Sequence, residues 1–380
     1  MTNAAPAPLS GIRVLDFSTL VPGPLATLVL AEAGAEVVKV ERPDGGDPLR
    51  AYPPVVDGTS AIFALLNRGK RSVALDLKRA GAFEALSPLL TSADIVVEQF
   101  RPGVMDRLGL GYDAVRRRNP RVVYCSITGF GQSGPRALQA GHDLSYLAAS
   151  GLLALTRSDD GGPIVPPVLI ADIAGGSYPA VINILLALLR RHATGVGCHL
   201  DLSMSDAIMT LTFWALAAGF STGEWPAPGG ALLSGGSPRY NVYRTLDDRF
   251  LAVAALEDKF WEAFCAAIEL PEPQRDDHRD PAAVKRVVAE RLATRTGDAW
   301  ETLLRRADTC AALVTPLRDA IADPHLVARS LFCGTARAGD RALPALPVPL
   351  TTSLRPGADD RAVPALGEGN AQLLGKVAAS

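Results

Sequence analysis

Between residues 12 and 127 the chain alternates short β-rich runs with helical stretches, and no other feature constrains its fold as strongly. Residues 12–17 (IRVLDF) read as a strand, Gly23-Pro24 opens a helix over 25–33, and a second strand follows at 35–41 (AEVVKVE). Further strands fit residues 72–76, 95–98 and 122–127, with a helix over 79–91 between the first two. Such alternation implies a mostly parallel sheet with helices on both faces and right-handed crossovers. The expected class is α/β, with a Rossmann-like parallel sheet as the large domain.

A Gly/Pro-rich stretch at 220–238 reads as a linker, because few such segments fit inside an element. Beyond it, β-rich runs at 240–244 and 250–254 and helical patterns around 260–267, 282–294 and 298–305 make a smaller α+β unit. The expected division is a large domain over 1–219, the linker, a small domain over 239–332, and a C-terminal segment over 333–380. A chain of 380 residues, 48% of them hydrophobic, buries a core large enough for two or three domains.

A net charge of −2 provides no general field for a polyanion, so nucleic acid is not an expected partner. The five cysteines fall singly, without a CxxC pair, which argues against a disulfide framework and a metal site. Met1 to Pro6 lack a basic, then apolar, leader, and a cytoplasmic location is expected. The apolar run at 179–189 is closed by Arg190 and Arg191 and reads as a buried helix too short to span a bilayer; no membrane association is expected.

Two segments carry chemistry. Gly141-His142-Asp143 presents an imidazole that titrates near neutral pH, and Ala171-Asp172-Ile173-Ala174-Gly175-Gly176-Ser177 presents a carboxylate at the mouth of a helix. Alone, His142 also fits a structural loop histidine, and Asp172 a helix cap. Together they suit the handling of one proton from two sides. Gly129-Phe130-Gly131-Gln132-Ser133-Gly134 follows a strand but lacks dinucleotide-fingerprint spacing, so NAD is not expected; its glycines suit close backbone approach to a ligand.

The ordered motifs Gly11-Ile12-Arg13-Val14-Leu15-Asp16-Phe17, Val38-Lys39-Val40-Glu41-Arg42-Pro43, Asn67-Arg68-Gly69-Lys70-Arg71-Ser72, Glu98-Gln99-Phe100-Arg101-Pro102-Gly103 and Thr194-Gly195-Val196-Gly197 resemble the family III CoA-transferases. Within that family the chain looks most like the α-methylacyl-CoA racemases. The resemblance implies a large Rossmann-like domain completed by the returning C-terminus, a small domain between, and two chains interlocked as a homodimer. It implies an acyl-CoA substrate and no cofactor beyond the CoA moiety.

CoA phosphates need Arg or Lys forks to offset their desolvation. Arg42, Arg71, Lys78, Arg101 and Arg107 fall at or just beyond expected strand ends. By resemblance Arg42, Leu75, Lys78, Gln99, Phe100, Arg101 and Arg107 line the nucleotide, Phe100 touching adenine, and Gln99 replaces a more common Asn. Gly129 lies by the pantetheine arm and Tyr240 near the thioester.

For the racemases the resemblance implies His142, oriented and charged by Glu257, as one base and an ionised Asp172 as the other, with an enolate between them. The alternative is CoA transfer, in which the carboxylate at Asp172 is a nucleophile that carries CoA as a thioester. Transferases of the family usually carry an aromatic residue where His142 stands. Val168, in contrast, replaces an Asn usual in racemases, which keeps transfer open. A third reading, a CoA-binding scaffold without activity, is opposed by the joint presence of His142, Asp172 and Glu257.

Overall fold

The computed structural model describes residues 6–158, 160–355 and 360–375, which divide into two compact units. One is formed by residues up to Ser150, Pro166–Thr210 and the chain from Ala328 on; the other by Gly151–Val165 and Leu211–Val327.

The first unit is built on a six-stranded sheet of β1 (Arg13–Asp16), β2 (Glu36–Glu41), β3 (Arg71–Ala74), β4 (Ile95–Glu98), β5 (Val123–Thr128) and β6 (Cys198–Ser203). Their order is β3-β2-β1-β4-β5-β6 and each neighbouring pair is parallel. This is the doubly wound order of Rossmann-type sheets, and it reverses between β1 and β4. Central strands read as largely apolar runs because both faces are covered: Val14, Leu15, Val38, Ile95, Val96 and Val97 are all fully buried, with Lys39 a charged exception in β2. β6 was not legible in this way. It is an edge strand on which exposed His199 and Asp201 alternate with less exposed neighbours.

Helix α1 (Pro22–Glu32) places prolines in its first turn, where no intrahelical donor is lost, and is buried along almost its whole length. A later helix, α2 (Tyr178–Thr194), packs on α1, β5 and β6 through Ala180, Val181, Ile184 and Ala187. Its opposite face does not fit the expected buried helix: Ile182, Leu185, Leu186 and Leu189 are exposed. Joined to the helical turn before it, α2 makes a 24-residue run, Ala171–Thr194, that is long and apolar enough to cross a membrane by those two measures. The sequence reading counted only the apolar run at 179–189 and so missed this length.

The C-terminal segment returns to this unit and covers the edge strand β3. Asn370 Oδ1 accepts the Ala74 N–H at 2.8 Å while its Nδ2 donates to the Ala74 carbonyl at 3.0 Å, and the Gly69 N–H donates to the Ala362 carbonyl at 2.8 Å. An open strand edge is thereby removed from solvent.

The second unit holds a three-stranded antiparallel sheet of β7 (Tyr240–Arg244), β8 (Phe250–Ala254) and β9 (Ala311–Leu313), with β8 central. Helices α3 (Asp258–Ala267), α4 (Pro281–Leu292) and α5 (Gly297–Arg306) share with it a core around Leu251, Phe264 and Trp300. Part of the 220–238 stretch is ordered as helix, since Phe213–Thr222 runs into it and Leu232–Ser234 forms a short turn.

Four charged groups are buried at the carboxyl ends of β1 and β2. Lys39 Nζ lies 2.9 Å from Asp47 and Lys70 Nζ lies 3.2 Å from Asp16, with no side-chain exposure at any of the four. Burial pushes the Asp16 carboxyl up, but Lys39, Lys70 and the Ser18 and Thr27 hydroxyls outweigh it and hold the group down at about 2. A carboxyl lowered in the fold stabilises above its ordinary pKa and ceases to do so as pH falls through its folded value. Urea unfolding should therefore show wild-type stability falling between about pH 4 and 2, and Asp16→Asn should cost about 3–5 kcal/mol at pH 7 with a flatter acid limb. A variant as stable as wild type at pH 7 would remove this network from the folding account.

Candidate active site

Two cavities open at the carboxyl ends of the strands where the order reverses, the place where open α/β sheets bind ligands. The first, about 350 Å³, is lined by Thr19 and Leu20 beyond β1, Gln99 to Pro102 beyond β4, Gly129 beyond β5, and His142, Tyr146 and Asp172. The second, about 340 Å³, is lined by Arg42, Leu75 and Lys78 beyond β2 and β3, with Val104 and Leu108. Thr19 and Phe100 line both.

His142 stands at the cap position of the helix Asp143–Ala149 with extended backbone, and its N–H donates to Ser145 Oγ at 2.8 Å. The Ser145 hydroxyl in the first turn thus fixes the His142 backbone, and the imidazole is exposed at the cavity wall. Tyr146, one turn on, packs edge-on against Phe130 and donates from Oη to the Gly141 carbonyl at 2.6 Å. Gly129 exists for this packing: a Cβ there would lie 2.3 Å from the Tyr146 ring. Burial, then the Asp172 charge, pushes the Tyr146 phenol up.

Asp172 sits in the first turn of a π-helical segment, Ala171–Ser177, that runs directly into α2. Widened turns of this kind recur at functional sites. Gly175 permits it here, since a Cβ would meet the Met204 carbonyl at 2.6 Å. The Ser177 hydroxyl ties the segment to the Pro22 carbonyl at 2.8 Å. The Asp172 N–H donates to Asp143 Oδ1 at 3.0 Å, so buried Asp143 fills the capping role and the Asp172 side chain is free for other work.

The Asp172 carboxyl is pushed up to about 6, first by burial and next by Asp143, while His142 pulls it down. The sequence expectation of an ionised Asp172 is compatible with this value at neutral pH, but burial and a like charge bring the group much closer to protonation than a helix-terminal Asp would be. Among the described residues no ion pair joins His142 and Asp172. The two groups face one cavity without quenching each other.

Of the expected nucleotide residues, Arg42, Leu75, Lys78 and Phe100 share the second cavity. Gln99 and Arg101 line the first, and Gln99 Oε1 accepts the Gly23 N–H at 3.1 Å, pinning the β4 loop to α1. Arg107 stands on the turn Val104–Arg107, whose Val104 lines the second cavity. Arg71 is elsewhere. It opens β3 instead of ending it, at the amino end of that strand, where Glu36 (3.4 Å) and Gln372 (2.6 Å) engage its guanidinium. Tyr240 and Glu257 belong to the second unit, Tyr240 opening β7 and Glu257 capping α3 with its side chain exposed. Val168 is exposed and does not line the cavity. Among the described residues no group of three or more His, Cys, Asp or Glu is placed to hold a metal.

The family model described as "CoA-transferase family III" matches residues 9–370. The chain belongs to that family. It is 36% identical over 332 residues to the human protein named α-methylacyl-CoA racemase, covering 85% of this chain and 82% of that one. It is also 34% identical over 394 residues to the succinate–glutarate CoA-transferase of Agrobacterium fabrum, covering 99% and 97%. The crystal structure of a CaiB/BaiF family protein from Brucella suis superposes with a TM-score of 0.83 at 28% identity, covering 96% of this chain and 98% of that one. A family III enzyme thus has relatives of both reaction types at similar identity.

Sequence reasoning missed Tyr146 and Asp143 as members of the site. Their signal was spacing, since residues 143 and 146 share a helical turn with His142.

A carboxyl raised in the fold favours folding at low pH, and that contribution is lost as pH rises from its unfolded to its folded pKa. Asp172→Asn should therefore gain up to about 2 kcal/mol over wild type as pH rises from about 4 to 6, and stay ahead above that. Thermal unfolding across this range checks it; a constant difference between the two proteins would show that Asp172 carries no such burden.

Proposed function

We propose that this family III enzyme is an acyl-CoA racemase that inverts the carbon next to the thioester of a 2-methylacyl-CoA through an enolate. The observation that carries the reading is that His142 and Asp172 line one cavity without an ion pair, the second poised near neutral pH. Proton transfer is most efficient when the catalytic pKa lies close to the working pH. A two-sided exchange needs a proton carrier on each face, whereas acyl transfer needs one nucleophile.

A ligand lying across both cavities past Thr19 and Phe100 would set its phosphates by Arg42 and Lys78 and its thioester by His142 and Asp172. In this reading one group takes the α-proton and the other returns a proton to the opposite face. The reaction asks for no cofactor beyond the CoA moiety. The exposed apolar face of α2, Ile182, Leu185, Leu186 and Leu189, supports a homodimer. CoA transfer is the second reading, supported by transferase relatives at similar identity.

Incubation with a 2-methylacyl-CoA in deuterated water, without any carboxylic acid acceptor, should give α-deuteration. His142→Ala should lower that exchange by about 10²–10⁴-fold while CoA binding persists. Turnover that requires an acceptor, with hydroxylamine trapping an acylated Asp172, would establish transfer instead.

The nucleotide cleft has its own test. Lys78→Glu should raise KM for acyl-CoA far more than it lowers kcat, because phosphate contacts bind ground and transition states alike. An unchanged KM would place the nucleotide elsewhere.

A further inference from the structure

Beside the two cavities lies a third, of about 160 Å³, which the mechanism does not use. Its floor is Glu98, the last residue of β4, only 4% exposed. One carboxylate oxygen accepts the Phe100 N–H at 2.8 Å. Ser126 holds the pKa of the same carboxylate down, and Ser126 Oγ lies 2.9 Å from His199 Nε2. A hydroxyl has one proton, so when Ser126 gives it to Glu98, Oγ becomes the acceptor and His199 Nε2 the donor. Tyr112 stacks on the imidazole with ring centres 5.1 Å apart.

This chain of donors runs inward from the exposed edge strand β6 to a buried carboxylate, and the carboxylate holds the turn that lines both other cavities. Phe100 belongs to both linings, and Gln99 and Arg101 flank it. We propose that Glu98 is a positioning residue for acyl-CoA: its carboxylate fixes the Gln99–Arg101 turn through the Phe100 amide, and Ser126 and His199 hold that carboxylate in its accepting state. The inference rests on the nucleotide reading given above.

The groups facing Glu98 are Arg101, Asp106, Tyr112, Asp113, Tyr124 and His199 on the cavity wall, with Cys125 in the neighbouring strand. Burial pushes the Glu98 carboxyl up to about 7; Ser126 and the Phe100 amide pull it down, and Asp106 adds a small upward push. As pH rises through that value the N–H···O bond to Phe100 becomes charge-assisted and stronger. The turn tightens, and affinity for CoA rises.

The test is KM for acyl-CoA, and CoA affinity by calorimetry, between pH 5.5 and 8.5, with wild type, Glu98→Gln and Ser126→Ala compared. The phosphates of CoA titrate identically in all three experiments. Wild type should bind about fivefold more tightly at the alkaline end, once the common CoA contribution is subtracted. Glu98→Gln should show no inflection of its own. Ser126→Ala should move the inflection to higher pH, because it removes a donor to the ionised form; a residue of merely structural importance would lower thermal stability without moving it. Should Glu98→Gln fail to fold, Ser126→Ala decides alone. Identical pH profiles in wild type and variants, or affinity that falls as pH rises, overturns the role of Glu98. If those profiles match while Lys78→Glu weakens binding, the nucleotide reading survives without this inference; if Lys78→Glu binds CoA normally, both fall.

Discussion

Everything near the reaction centre depends on the charges buried at the ends of β1 and β2. Lys39 Nζ donates to the Ser18 carbonyl at 2.7 Å, and Asp47 Oδ1 accepts the Leu20 N–H at 3.1 Å, so the loop after β1 is fastened on both sides. Leu20 is held with a φ of 60°, a left-handed backbone that a leucine rarely adopts. Such strain persists where the surroundings over-determine it. Lys70 extends the network by donating to the Pro24 carbonyl at 2.9 Å and Asn67 Oδ1 at 2.8 Å, which ties the first turn of α1 to the same point. Desolvation lowers Lys70 to about 8, offset in part by Asp16. An apolar replacement of such a network can match its stability, but it would not aim these particular backbone groups.

The same economy of buried charge shapes the cavity. Asp143 accepts the Asp172 amide and at the same time repels the Asp172 carboxylate, so one side chain both places the reactive group and raises its basicity. Glu98 repeats the arrangement one strand away: a buried carboxylate accepts a backbone amide two residues on and is raised by its own burial. In both, the stability lost to desolvation at neutral pH is the physical counterpart of a group ready to change its protonation state.

Much of this was legible in the sequence. The first five strands of the parallel sheet stand within a few residues of the expected runs, because a strand covered on both faces is mostly apolar and so announces itself. β6 did not, since one edge of it is solvated and carries His199 and Asp201. Arg71 shows the limit of reading charge by proximity to strand ends: a strand has two ends, and only its direction in the sheet decides which faces the ligand. The π-helical turn at Asp172 was equally hidden. Ala-Gly-Gly-Ser reads as a break in a helix until the close approach of Met204 shows what the small residues admit.

Why one fold should host both racemisation and CoA transfer follows from what the two reactions share. Each brings a thioester to a carboxylate; they differ in whether that carboxylate meets the carbonyl carbon or the hydrogen beside it. A raised pKa strengthens a carboxylate for both tasks, so the position of Asp172 on the pH scale does not by itself choose between them. The choice lies with the rest of the cavity wall. A transferase needs only room for an acceptor acid, whereas an enolate formed on one face must be met by a second proton carrier on the other. His142, exposed at the cavity wall, is a group of that kind. The Ser145 hydroxyl at the start of that helix accepts the His142 N–H and donates to the His142 carbonyl, and so fixes the backbone from which the imidazole meets the cavity.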